Sequence, residues 1–161
     1  MRLAVALMIL LLAGCAGNPA GRDKAVAEPD LFQVRQAAQS SYASKDYAES
    51  EKQYTLLVQK VPVEAENWFR LGNIYARTNR PEQAIAAYRE ALVRAPDNSK
   101  AWFNMAILQL NTAASSLTEL QKNAPEGDPL AARSKEVVTQ ILNIIKGDSE
   151  AGAAEAGAAG N

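Results

Sequence analysis

The chain contains no histidine and a single cysteine in 161 residues. Without histidine, the commonest general base and the commonest neutral zinc ligand are missing, and no Ser–His or Cys–His pairing can exist. One cysteine excludes an intramolecular disulfide. An excess of either charge is also lacking: 17 Lys and Arg stand against 18 Asp and Glu. No basic stripe points to a nucleic-acid partner. Aromatic residues make up only 6%. No segment alternates with period two, so no strand is placed. Acidic residues such as Glu49, Glu51, Glu82 and Glu90 fall singly on expected outer helix faces, whereas glycoside hydrolysis needs two carboxylates in one pocket. A protein without catalytic residues, metal or cofactor is expected.

What is present begins at the N-terminus. Met1-Arg2 is followed by an apolar run of ten residues, Leu3 to Leu12. That length suits a signal-peptide core and is too short to span a bilayer as a helix. The run ends in Leu12-Ala13-Gly14-Cys15. Small residues at 13 and 14 fit a narrow protease cleft, and the sole cysteine stands directly after them. All four positions resemble the bacterial lipoprotein lipobox. The resemblance implies cleavage between Gly14 and Cys15 and acylation of Cys15. Two or more acyl chains give stable anchoring where one gives marginal binding. Residue 16 is alanine, not aspartate. By resemblance to enterobacterial lipoproteins, this implies an outer-membrane anchor facing the periplasm.

Residues 15–29 follow as a flexible tether whose span is about 20 Å. From 30 to 146 the chain reads as helix. Asp30 caps the first helix, which runs to about Ser44. Asp46 opens a second that ends before Pro62, and a third covers about Glu64 to Thr78. A fourth starts with Pro81 in its first turn, where the missing N–H costs nothing, and ends near Arg94. A fifth extends without a breaker from about Ser99 to Asn123. A loop over Pro125–Pro129 leads to a sixth helix ending at Gly147. Residues 147–161, rich in Ala and Gly, are expected to form a disordered tail.

An internal repeat organises this helical region. Trp68 and Trp102, Tyr54 and Tyr88, and Pro62 and Pro96 are each 34 residues apart. The middle unit reads Trp68-x2-Leu71-Gly72-x2-Tyr75, then Ala84-x3-Tyr88-x2-Ala91, then Pro96. This is similar to the tetratricopeptide repeat in period and residue order, with Tyr88 where phenylalanine is usual. A mid-helix glycine costs about 1 kcal/mol relative to alanine, so Gly72 must serve a close helix–helix approach. Units at 31–64 and 99–146 are degenerate. The first has Val34 at the Trp position and Ser50 at the small-alanine position. The third keeps Trp102, Met105 and Ala106, but its first helix is too long. An all-α, short right-handed solenoid of about three helical hairpins, six helices in all, with an extended last hairpin, is therefore expected.

In this family the first helices of successive hairpins line a concave groove. The resemblance places Phe32, Arg35, Gln39, Glu66, Phe69, Arg70, Asn73, Arg77, Lys100, Phe103, Asn104 and Ile107 there. Some family members grip a C-terminal carboxylate with a Lys/Asn/Asn/Lys/Arg clamp. Arg35, Gln39, Lys100 and Asn104 fall near corresponding places, but Arg70 stands where Asn is expected and Asn104 where a cation is expected. Phe69 and Phe103 are expected to be exposed in the groove. The apolar last helix, with Val137, Val138, Ile141, Leu142, Ile144 and Ile145, is either core or a partner face. The implied function is a membrane-anchored scaffold or assembly factor of the bacterial envelope, serving a pilus, a secretion channel or outer-membrane assembly. It would bind a segment of an envelope protein and contact the bilayer through acylated Cys15. The alternative is a structural homodimer working through the last helix.

Overall fold

A computed structural model describes residues 29–158. The leader, Gly14, Cys15 and nearly all of the tether lie outside the described residues. Within them the chain is all-helical: α1 (Leu31–Ala43), α2 (Tyr47–Lys60), α3 (Ala65–Arg77), α4 (Pro81–Arg94), α5 (Ser99–Asn123) and α6 (Pro129–Ala158). Each helix packs on its neighbour in sequence, giving three hairpins, α1–α2, α3–α4 and α5–α6. The architecture is that of a short tetratricopeptide-like solenoid.

The helix ends follow local chemistry. The Asp30 carboxylate accepts hydrogen bonds from the Phe32 and Gln33 amides. Asp46 caps through Glu49 N–H, Asn98 through Ala101 N–H and Asp128 through Leu130 N–H. Each side chain satisfies a first-turn donor that the helix cannot satisfy itself. Pro81 occupies the first turn of α4. The α1–α2 and α3–α4 turns each use a left-handed residue, Lys45 at φ 64° and Asn79 at φ 56°. These two positions are again one repeat apart, so the periodicity is written in the backbone.

The close approach expected at Gly72 is present. A Cβ added there would lie 2.5 Å from the Tyr88 ring carbons Cδ1 and Cε1. One repeat earlier, Ala38 takes the glycine position and Ser50 the small-alanine position, both fully buried. The Ser50 hydroxyl donates to the Ala38 carbonyl at 3.0 Å, so the substitution leaves no unpaired polar group. Trp68 and Trp102 repeat a third device. Each indole Nε1–H donates to a proline carbonyl six residues back, Pro62 and Pro96 respectively, at 2.9 Å.

The core runs as two linked clusters. Ala38, Tyr54, Leu57, Val58, Leu71, Ile74 and Ala87 join the first hairpin to the second. Phe69, Ala84, Tyr88, Ala91, Leu92, Ala101 and Met105 join the second hairpin to α5. Helix α6 enters neither cluster and packs along α5, burying Ser134 and Ile141. Leu142 and Ile144 are exposed, so the apolar last helix is divided between core and surface. Its end also differs from expectation. The sequence reading stops this helix at Gly147, yet α6 continues to Ala158. The alanines and glutamates beyond Gly147 are strong helix formers, and they carry the helix through Gly147, Gly152 and Gly157, each of which costs only about 1 kcal/mol. Helix α5 has 25 residues, as its unbroken pattern predicts.

Candidate functional site: the concave groove

Helices α1, α3 and α5, with Tyr88 of α4, bring together a cavity of about 520 Å³ lined by Tyr42, Asn73, Ala76, Arg77, Tyr88, Phe103, Asn104, Ile107 and Leu108. Five of the expected groove residues line it: Asn73, Arg77, Phe103, Asn104 and Ile107. At its floor the Tyr88 hydroxyl donates to Asn73 Oδ1 at 2.8 Å, and Asn104 Nδ2 donates to the same oxygen at 3.1 Å. Asn104 Nδ2 also approaches the Tyr88 hydroxyl at 3.4 Å. Burial pushes the Tyr88 phenol up to about 12, so it remains a neutral donor at ordinary pH. The two amides are thus fixed in orientation by a buried tyrosine.

Arg77 forms the cationic edge. Its Nε–H donates to the Tyr42 hydroxyl at 2.9 Å, and its guanidinium carbon lies 5.7 Å from the centre of the Tyr42 ring. The Tyr42 hydrogen bond raises the Arg77 pKa further above its ordinary value. Arg70 approaches the same ring at 5.9 Å. On the opposite edge Phe103 is 48% exposed, although large apolar side chains are normally covered.

The remaining expected groove residues go elsewhere. Phe32 is 74% exposed and lies outside the cavity lining. Gln39 and Lys100 are exposed and also outside it. Arg35 is ion-paired with Glu64, and Arg70 with Glu66 at 2.6 Å. Two positions near the clamp pattern therefore hold cations already neutralised by neighbouring carboxylates. Phe69 overturns the expectation of an exposed groove aromatic. It is buried at the junction of α3, α4 and α5, with its ring 5.8 Å from that of Tyr88. Phe69 and Phe103 occupy equivalent repeat positions. The next repeat's first helix, α5, docks over Phe69, whereas among the described residues no helix covers Phe103 in the same way.

Tyr42, Ala76 and Leu108 were missed by the sequence reading. Their signal was available, because the groove register carried one turn further reaches 42 from 39, 76 from 73 and 108 from 104. Among the described residues, no group of three or more His, Cys, Asp or Glu side chains could hold a metal ion. No described helix is long and apolar enough to cross a membrane.

Residues 35–99 match the tetratricopeptide repeat family. This stretch is similar to tetratricopeptide repeats. The repeat region is 30% identical over 111 residues to the peroxisomal targeting signal receptor of Kluyveromyces lactis, covering 65% of the present chain and 19% of that protein. It is 30% identical over 112 residues to the receptor of the same name from Eremothecium gossypii, covering 65% of the chain and 20% of that protein. The chain therefore spans about a fifth of the length of these curated relatives. Its fold resembles that of a type III secretion translocator chaperone from Yersinia enterocolitica, with a TM-score of 0.50 and 24% identity. That match covers 74% of the present chain and 86% of the chaperone chain.

Proposed function

We propose that this repeat protein is a lipid-anchored scaffold or assembly factor of the bacterial envelope that holds an extended segment of a partner protein in its concave groove. The observation that carries the binding half is the groove itself. Fixed amides on Asn73 and Asn104 and a half-exposed Phe103 line a cavity large enough for several side chains. An extended backbone needs fixed hydrogen-bonding groups and an apolar wall, and the groove offers both. The anchoring half rests on the Leu12-Ala13-Gly14-Cys15 motif. On this reading the protein faces the periplasm from the outer membrane and serves a pilus, a secretion channel or outer-membrane assembly. Binding, with no chemistry, is its activity.

Full-length protein produced in a bacterial envelope, with a photo-crosslinking residue in place of Phe103 or of Val93, tests the groove. Val93 is 76% exposed on α4, away from the cavity. Position 103 is expected to crosslink a defined envelope protein and position 93 is not. Equal products from both positions would overturn the groove assignment. Cys15→Ser is expected to move the protein from the membrane fraction to the soluble periplasm, and unchanged membrane association would overturn the anchor.

A second reading is supported by Leu130, Leu142 and Ile144, which are 60%, 53% and 58% exposed along α6. These side chains would form the face of a homodimer. Sedimentation separates the two readings, because a monomer at tens of micromolar argues against the dimer.

A further inference from the structure

The cations of the inner helices are not equivalent. Arg35 is matched by Glu64 and Arg70 by Glu66. Arg77 has no carboxylate partner among the described residues and is the only charged side chain lining the groove. Its Nε–H is held by the Tyr42 hydroxyl, and its guanidinium sits beside that ring. Tyrosine supplies orientation without neutralising the charge. Tyr47 adds a weaker hydrogen bond to the guanidinium; the remaining N–H donors of Arg77 suit a carboxylate, and less motion is lost on binding because the group is already held. Asn73 Oδ1 and Asn104 Nδ2 are occupied by each other and by Tyr88. Asn73 Nδ2 and Asn104 Oδ1 take part in none of these bonds, leaving one donor and one acceptor for a passing peptide group.

Resting on the groove reading above, we infer that the partner segment carries an aspartate or glutamate side chain seated on Arg77, close to an apolar residue seated against Phe103 and Ile107. A side chain is favoured over a chain terminus because, of the clamp-like cations, Arg35 is neutralised by Glu64 and Lys100 lies outside the cavity lining, so neither joins Arg77 there. A protein segment is favoured over an anionic lipid surface, since lipid binding draws on clusters of cations and the groove presents one.

The test pans full-length protein in detergent micelles against two pools of randomised decapeptides. One pool includes Asp and Glu, and the other has Asn and Gln in their place. Each pool is made with a free C-terminus and with a carboxamide. The acidic pool is expected to be retained about tenfold better, as charge-assisted hydrogen bonds require. Retained sequences should place an apolar residue near the acid, and the form of the terminus should make no difference. Arg77→Gln should erase the acidic preference while weaker retention persists, and Arg77→Lys should keep part of it. Phe103→Ala should remove the apolar enrichment and leave the acidic one. Equal retention of both pools, an acidic preference surviving Arg77→Gln, or dependence on the free terminus would each overturn this inference while sensitivity to Phe103→Ala still upholds the groove. No retention of any pool, or retention indifferent to both variants, would overturn the groove reading itself. Helical circular dichroism separates misfolding from lost contact; Arg77 is exposed, so Arg77→Gln is expected to keep the full signal.

Discussion

Gly72 and Tyr88 show how much a single pair decides. The glycine lets the Tyr88 ring lie flat against the α3 backbone, and the ring's hydroxyl then reaches through to the groove floor. Gly72→Ala gains about 1 kcal/mol of helix propensity but drives a methyl group into a buried ring. A net loss of about 1–3 kcal/mol is expected by urea denaturation, with the Asn73–Asn104 geometry displaced. Tyr88 also makes a pH prediction. Its folded-state pKa is raised from 10.0 to about 12 by burial. Its contribution to stability is therefore complete below pH 10 and is lost as pH rises from there through about 12, by roughly 2 kcal/mol. Ultraviolet titration should show a late tyrosinate phase that coincides with alkaline unfolding; burial also raises Tyr54 and Tyr75, so Tyr88→Phe should shrink that phase by one tyrosine without removing it. Phe69 belongs to this scale as well. Its repeat position marks it as groove-facing, but its burial makes a variant there a test of core packing.

At the scale of elements, helix boundaries came from caps and breakers that act within a few residues. Asp30, Asp46 and Pro81 therefore marked helix starts without tertiary help, whereas the Asn98 cap emerged only in the structure. The left-handed turn residues were not foreseen, because lysine carries no local preference for that conformation. Lys45 at φ 64° bears a Cβ penalty that glycine would remove. Lys45→Gly is expected to raise stability by up to about 1 kcal/mol, and Asn79→Gly by less, since asparagine tolerates the left-handed region. Denaturant midpoints of the two variants measure this directly. Helix α6 runs past Gly147 to Ala158, where an Ala- and Gly-rich composition was read as a disordered tail, because the alanines and glutamates there favour helix.

The whole molecule is a solenoid whose stability is unevenly spread. The two core clusters tie α1 through α5 together, while α6 rests mainly on α5. Native-state hydrogen exchange is expected to show α6 and the distal half of α5 opening at lower free energy than α3 and α4. Uniform protection across all six helices would contradict that gradient.

The sequence by itself determined the six helices, the 34-residue period, the glycine contact and the length of α5. Caps, propensity and repeat spacing are local or periodic, and both survive projection onto one dimension. Tertiary structure alone decided which groove residues remain available. Arg35 is neutralised by Glu64 of a later element, Phe69 is covered by the next repeat, and Arg77 and Phe103 are left open. Equivalent repeat positions look alike in sequence; only the packing of a neighbouring helix, or the lack of one, separates core from surface.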